Sequence, residues 1–243
     1  MSLLRNLSVK VPRDHLESDA AFHRRRRVVA GVSLAGAGLL GTSLSTKPDS
    51  KAFYGLTMGV AATWTAGAFA SGPLHLGWEQ THGQQLRRPL VTPIAMGAGA
   101  FGAFYGAALV ARRVPILNRA LTDILAFADQ GSAPLVTATT FANGAAEEVF
   151  FRGALYAAAG TQNPVAKSTA VYALATTATR NPALVLASGV MGTLFGLQRR
   201  ASGGIQAPML THLTWSALML RFLPPLFRKA GEDEVGEGAP PQV

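Results

Sequence analysis

The chain has 243 residues, of which 49% are hydrophobic and 14% charged, with a formal net charge of +9 and no cysteine. A soluble domain carries about 25% charged residues. Here the missing charge is missing from long blocks, the pattern of a multi-span membrane protein. The lack of cysteine excludes disulfides, thiolate chemistry and cysteine metal sites. The basic excess clusters beside apolar blocks, as in HRRRR (23–27), LRRP (86–89), ARRV (111–114) and LQRRA (197–201). It lacks the aromatic-basic interleaving of a nucleic-acid surface, so these clusters read as topology signals and lipid-headgroup contacts, with no nucleic-acid partner.

In chain order, residues 1–27 form a polar, basic leader. The first apolar block, 28–45, has no cleavage context after it and is expected to be retained as a span. A short turn (46–51), a second span (52–74), a polar loop (75–90) and a third span (91–111) follow. Each apolar block is close to the ~20 residues that cross the hydrocarbon core. Residues 114–131 place Ile116, Leu117, Leu121, Ile124, Leu125 and Ala128 at helical spacing with polar residues between. This is the pattern of an amphipathic helix at the interface. A fourth span covers 133–159, a fifth 165–179, a sixth 183–198 and a seventh 205–223. The residues after 223 form an acidic, Gly/Pro-rich tail, expected to be disordered. The expected architecture is therefore all-α and polytopic, about seven membrane helices over 28–223 plus one interfacial helix, with a motif-bearing core at 133–222. HRRRR puts the N-terminus in the cytoplasm, and a bacterial cell membrane is the expected location.

The fourth span raises the functional question. From Ala133 to Asn163 its only charges are Glu147, Glu148 and Arg152. A charge at mid-bilayer costs at least ~2.5–3.5 kcal/mol. Glu148 and Arg152 are spaced i, i+4 and can pair on one helix face. Glu147 is rotated by about 100° and points to a different surface. His212 is the one histidine inside a span, roughly 12 Å deep counted from Gly204, and Glu147 is roughly 18 Å deep counted from Ala159. The two are expected to meet in one polar cavity. A carboxylate and an imidazole in a wet pocket can perform hydrolysis, the Glu as general base and the His as donor to the oxyanion. The bland alternatives are a buried ion pair that locks helix packing and a histidine that only bonds one helix to another. The HExxH pattern is absent, and with one spanning histidine neither a metal nor another cofactor is expected.

Two stretches carry a resemblance. EEVFFR (147–152) fits an EExxxR motif, and LFGLQRRASGGIQAPMLTHLTWS (194–216) has the order of Phe-Gly-Leu, a basic turn with Gly, an Ala/Pro-Met-Leu segment and His. Together they resemble the CPBP family of intramembrane proteases, also called the CAAX-protease and bacteriocin-processing or Abi family. The resemblance implies an all-helical membrane enzyme that cleaves a peptide or protein substrate near the membrane surface. It implies that Glu147 activates water, that Glu148 and Arg152 support the site, and that His212 helps bind the oxyanion.

Two positions depart from the family's pattern. The middle motif, Phe-x-x-x-His, is matched by YALAT (172–176), with Tyr172 at the Phe position and Thr176 at the His position. The last motif, His-x-x-x-Asn or Asp, ends here in Ser216. Thr176 can hydrogen-bond a water but cannot take its proton, whereas Ser216 still donates a hydrogen bond. His75 and His82 are possible stand-ins for the absent imidazole, against the plainer reading of loop histidines, and Trp78 beside them reads as an interfacial anchor. The leading expectation is a glutamate-dependent intramembrane endopeptidase. The alternatives are a catalytically silent member of the same fold acting as a membrane adaptor, immunity or assembly protein, and a transporter, for which no internal repeat speaks.

Overall fold

The computed structural model describes residues 17–81 and 83–227. The leader before residue 17, His82 and the tail after residue 227 lie outside the described residues. Serine starts the first two helices by the same device. Ser18 and Ser50 sit in extended geometry, and their hydroxyls accept from the amides of Ala21 and Phe53. Helix α1 (Asp19–Ser43) therefore begins inside the stretch read as leader and carries the HRRRR run on its first turns. The residue that permits this is Arg25, which is fully buried. It pairs with Glu17 and donates to Ser71 Oγ at 3.1 Å and to the Pro73 carbonyl at 3.3 Å.

Helix α2 (Lys51–Ser71) packs along α1. Helix α3 (Val91–Ala111) and α4 (Pro115–Asp129) follow, and α4 is the amphipathic segment expected from the sequence. Helix α5 is composite. It is α-helical over Ala133–Glu147, π-helical over Glu148–Leu155 and α-helical again over Tyr156–Ala158. Helix α6 (Pro164–Thr176) continues into a 3-10 turn (Thr177–Thr179). Helix α7 (Pro182–Ser202) is capped by the Asn181 side chain, and α8 (Gln206–Phe222) is followed by a last 3-10 turn (Pro224–Leu226). Proline opens α4, α5, α6 and α7 within the first two positions, where its missing amide leaves no helical bond unmade. Among the described residues the only strands are β1 (Glu79–Gln80) and β2 (Leu86–Arg87), a short antiparallel ribbon in the loop after α2. The chain is all-α as expected.

The π segment is the hub. It contacts α1, α2, α6, α7 and α8, and all its residues are buried. Trp64 of α2 packs on Phe150 and Phe151 with ring centroids 4.6 and 5.0 Å apart, and with Val60, Ala68 and Ala154 these form the centre of the core. Helices α3 and α8 pack side by side at one flank, and Leu223 and Phe227 fold back onto Ala108.

A strap from His75 to Trp78 fixes the start of α8. Ile205 and Gln206 donate from their amides to the carbonyls of His75 and Leu76 at 2.9 Å, and the Trp78 amide donates to the Ser202 carbonyl at 2.8 Å. The two backbones touch at Gly77 and Gly204, where a β-carbon on either glycine would collide with the other strand's main chain. Gly77 also holds a positive φ of 89°. Trp78 lies beneath the Arg88 guanidinium, 3.8 Å from it.

Of the described helices, one is long and apolar enough to cross a membrane by length and composition: α3, with mean hydropathy 1.6. The remaining expected spans match helices that are shorter, broken by the π segment, or diluted by charge and by Gly, Ser and Thr. Helices α6 and α8 have 13 and 17 residues. Large apolar side chains nonetheless face outward on several helices, among them Leu34, Val91, Val110, Leu174, Leu186 and Val190.

Candidate active site

Glu148 is the first residue of the π segment and is completely buried. Its Oε1 accepts from Arg152 Nη1 at 3.3 Å and from His212 Nδ1 at 2.9 Å. A carboxylate only accepts, so Nδ1 carries a proton and Nε2 is the ring atom left for other work. Arg152 is buried as deeply. Its guanidinium lies 4.6 Å from the Tyr172 ring centroid and 5.0 Å from that of Phe195, a cation between two aromatic faces. Phe195 in turn stacks on His212, with centroids 4.9 Å apart and planes 22° from parallel. The i, i+4 pairing expected for Glu148 and Arg152 is thus present.

Glu147 goes elsewhere. Its Oε2 accepts from the Tyr172 hydroxyl of α6 at 2.6 Å. His212 bonds directly to Glu148, while Glu147 lies within electrostatic range of the same imidazole, so Glu147 and His212 come together by proximity rather than by a hydrogen bond. As the step of about 100° between consecutive helical residues predicts, Glu148 turns to α8 and Arg152 while Glu147 points to α6. His212 remains close to the glutamate pair on its other edge. A β-carbon on Gly144 would stand 3.7 Å from His212 Nε2, so that nitrogen looks onto the turn of α5 just before Glu147.

Thr176 is buried and donates its hydroxyl to the Tyr172 carbonyl at 2.9 Å. Ser216 is buried one turn beyond His212 on α8. Among the described residues neither hydrogen-bonds to either glutamate. The six sequence-derived candidates therefore divide: Glu148, Arg152 and His212 form one network, Glu147 joins it through Tyr172, and Thr176 and Ser216 stand at its edge. His75 belongs to the strap at the start of α8.

Three buried polar atoms of the network make no protein hydrogen bond: Glu148 Oε2, Arg152 Nε and Arg152 Nη2. Buried groups of this kind are normally satisfied by water or ligand. Tyr172, Phe195 and Arg199 all lie in the quoted motifs, but sequence reasoning gave none of them a role in the site. Arg199 Nε donates to the Arg152 carbonyl at 2.8 Å and so fixes the backbone beneath the guanidinium. The signals available were Tyr172, a hydroxyl where the resembling family has Phe, and Phe195, the aromatic residue of the Phe-Gly-Leu motif.

No curated protein and no solved structure matches the chain. One family does. Residues 129–218, from the end of α4 into α8 and including both glutamates, Arg152 and His212, match the Rce1-like family, described as Type II CAAX prenyl endopeptidase Rce1-like, which places this segment with the CPBP-type membrane proteases.

Proposed function

We propose that this chain is an intramembrane endopeptidase that cleaves a peptide or protein substrate near the cytoplasmic membrane face with a water activated by Glu147. The carrying observation is the division of labour between adjacent carboxylates. Glu148 is neutralised by Arg152 and His212, whereas Glu147 has a single fixed partner on Oε2, which leaves Oε1 to accept from water. Glu147 takes a proton from that water as the oxygen attacks the scissile carbonyl. The tetrahedral oxyanion accepts from His212 Nε2, whose ring is held by Glu148 through Nδ1 and by Phe195 through stacking. With Nδ1 engaged by Glu148, Nε2 serves as that donor in the doubly protonated form of the ring. Glu147 then passes its proton to the leaving amine, and the cycle closes. Thr176, bonded to Tyr172, and Ser216, one turn beyond His212, are the candidates for secondary contacts to water or to the substrate carbonyl.

The same reading has the described helices embedded in the bilayer, about seven of them crossing it and α4 lying at the interface. The outward-facing apolar residues on α1, α3, α6 and α7 support it. The N-terminal end of α1, with its arginines, then faces the cytoplasm.

A farnesylated CAAX-terminated peptide presented to the protein in phospholipid vesicles tests the proposal. Cleavage by the native chain and its loss in Glu147→Gln is the expected result; cleavage undiminished in Glu147→Gln rejects the mechanism. A second reading, a silent binding protein of the same fold, is favoured by one observation: the Tyr172 hydroxyl already occupies one oxygen of the proposed base. A cellular phenotype that survives both Glu147→Ala and His212→Ala would select it.

A further inference from the structure

The two departures in the middle motif lie one turn apart on the same face of α6. Against the motif they resemble, position 176 holds Thr in place of His and position 172 holds Tyr in place of Phe. The structure gives these changes very different surroundings. Thr176 turns its hydroxyl hydrogen to the Tyr172 carbonyl, a bond within its own helix. Tyr172 reaches across to α5 and donates to Glu147 Oε2 at 2.6 Å. The phenol is held for this task from three sides. Its ring packs on Phe151 with centroids 4.6 Å apart, its face lies under the Arg152 guanidinium, and its backbone carbonyl receives the Thr176 hydroxyl. A Tyr ring has few rotatable bonds, so a ring fixed in this way sets the hydroxyl with little freedom.

We infer that Tyr172 is the positioning residue for the general base, its hydroxyl holding Glu147 Oε2 from α6. The inference rests on the peptidase reading above. Tyr172 acts through Glu147. By holding Oε2 it directs Oε1 and its lone pairs at the water, and it leaves the proton traffic to the carboxylate. Because the same ring lies under Arg152, which pairs with Glu148, Tyr172 also fixes the orientation of the two acids relative to each other. Phe at this position would keep the ring contacts and lose only the bond to Glu147. The distinct signature of the arrangement is interchangeability. A chain that loses the hydroxyl at 172 should be repaired by an imidazole at 176, one helical turn along the same face of α6.

The test compares native protein, Glu147→Gln, Tyr172→Phe and the double variant Tyr172→Phe with Thr176→His, using the farnesylated CAAX-terminated peptide in phospholipid vesicles. Thermal unfolding is recorded for each. Tyr172→Phe is expected to lower kcat about 10- to 100-fold with KM changed by less than about two-fold, since misplacing a reacting group by about 1 Å can cost 10²-fold. The double variant is expected to recover at least about ten-fold of that loss. Inactive Glu147→Gln together with Tyr172→Phe at native kcat overturns the inference and leaves the peptidase reading standing. A rise in kcat in Tyr172→Phe overturns it too, because the hydroxyl would then be a block. A loss in Tyr172→Phe that the double variant does not repair, or that tracks a fall in unfolding temperature, marks a structural role and also overturns it. If no form cleaves, or Glu147→Gln cleaves normally, the reading beneath has failed and the inference falls with it.

Discussion

His212 and Arg152 meet on a single oxygen of Glu148, at 2.9 and 3.3 Å. Two donors from different helices converge on one buried acceptor, so Glu148 binds α5 to α8 as well as balancing charge. Glu147, its neighbour in sequence, is tied to α6 by one phenol. The adjacent acids therefore differ in how much structure depends on them.

Truncation should separate them. Glu148→Ala leaves a buried guanidinium without its carboxylate, and removing one member of a buried pair destabilises by about 3–5 kcal/mol. Glu147→Ala removes a single hydrogen bond, a loss of about 1 kcal/mol. Thermal unfolding of detergent-purified variants measures both. Equal effects would contradict the assignment of Glu148 as the structural acid.

Arg152→Lys tests the aromatic sandwich. Lysine keeps the charge but loses the planar group that lies between Tyr172 and Phe195. A loss of about 2 kcal/mol is expected, the scale of a desolvated cation–π contact. A Lys variant as stable as the native chain would show that charge alone matters at this position.

Trp64→Ala should destabilise by about 3–5 kcal/mol, because Trp64 is buried against both phenylalanines of the π segment. Its effect should reach the site, since Phe151 also packs on Tyr172. Chemical denaturation and peptide cleavage, measured on the same preparation, check the two parts.

Two glycines on either side of a helix end make a matched pair. Gly204→Ala drives a methyl group into the main chain of Leu76 and Gly77 and should cost about 1–3 kcal/mol. Gly189→Ala, in open space on α7, should stabilise by about 0.5–1 kcal/mol through helix propensity. Opposite signs in a thermal-shift measurement are the expected result.

Much of this architecture could be read from the sequence, because apolar runs bounded by Pro, Gly and Asn leave little choice of element. The block at 91–111 coincides with α3, and 183–198 lies within α7. The start of α1 was hidden. HRRRR reads as a topology signal and headgroup contact until Glu17, Ser71 and the Pro73 carbonyl are seen around Arg25, and the last two lie 46 and 48 residues away in sequence. The Glu148–Arg152 pair was legible as local spacing. The partner of His212 was not, because local spacing does not say which of two adjacent acids a histidine 64 residues away will bond. Tyr172 was visible as an odd residue in a motif, and only the tertiary approach of α6 to α5 turns it into a partner of Glu147.

A π turn amounts to one residue inserted into an otherwise regular coil. Everything before Glu148 in α5 and everything after Leu155 is therefore out of phase by that residue. Substitutions inside 148–155 can leave the phase intact, but a single-residue deletion there would rotate Arg152 and Tyr156 away from their neighbours while preserving every remaining side chain. The spacing of EExxxR is in this sense a constraint on count as well as on composition.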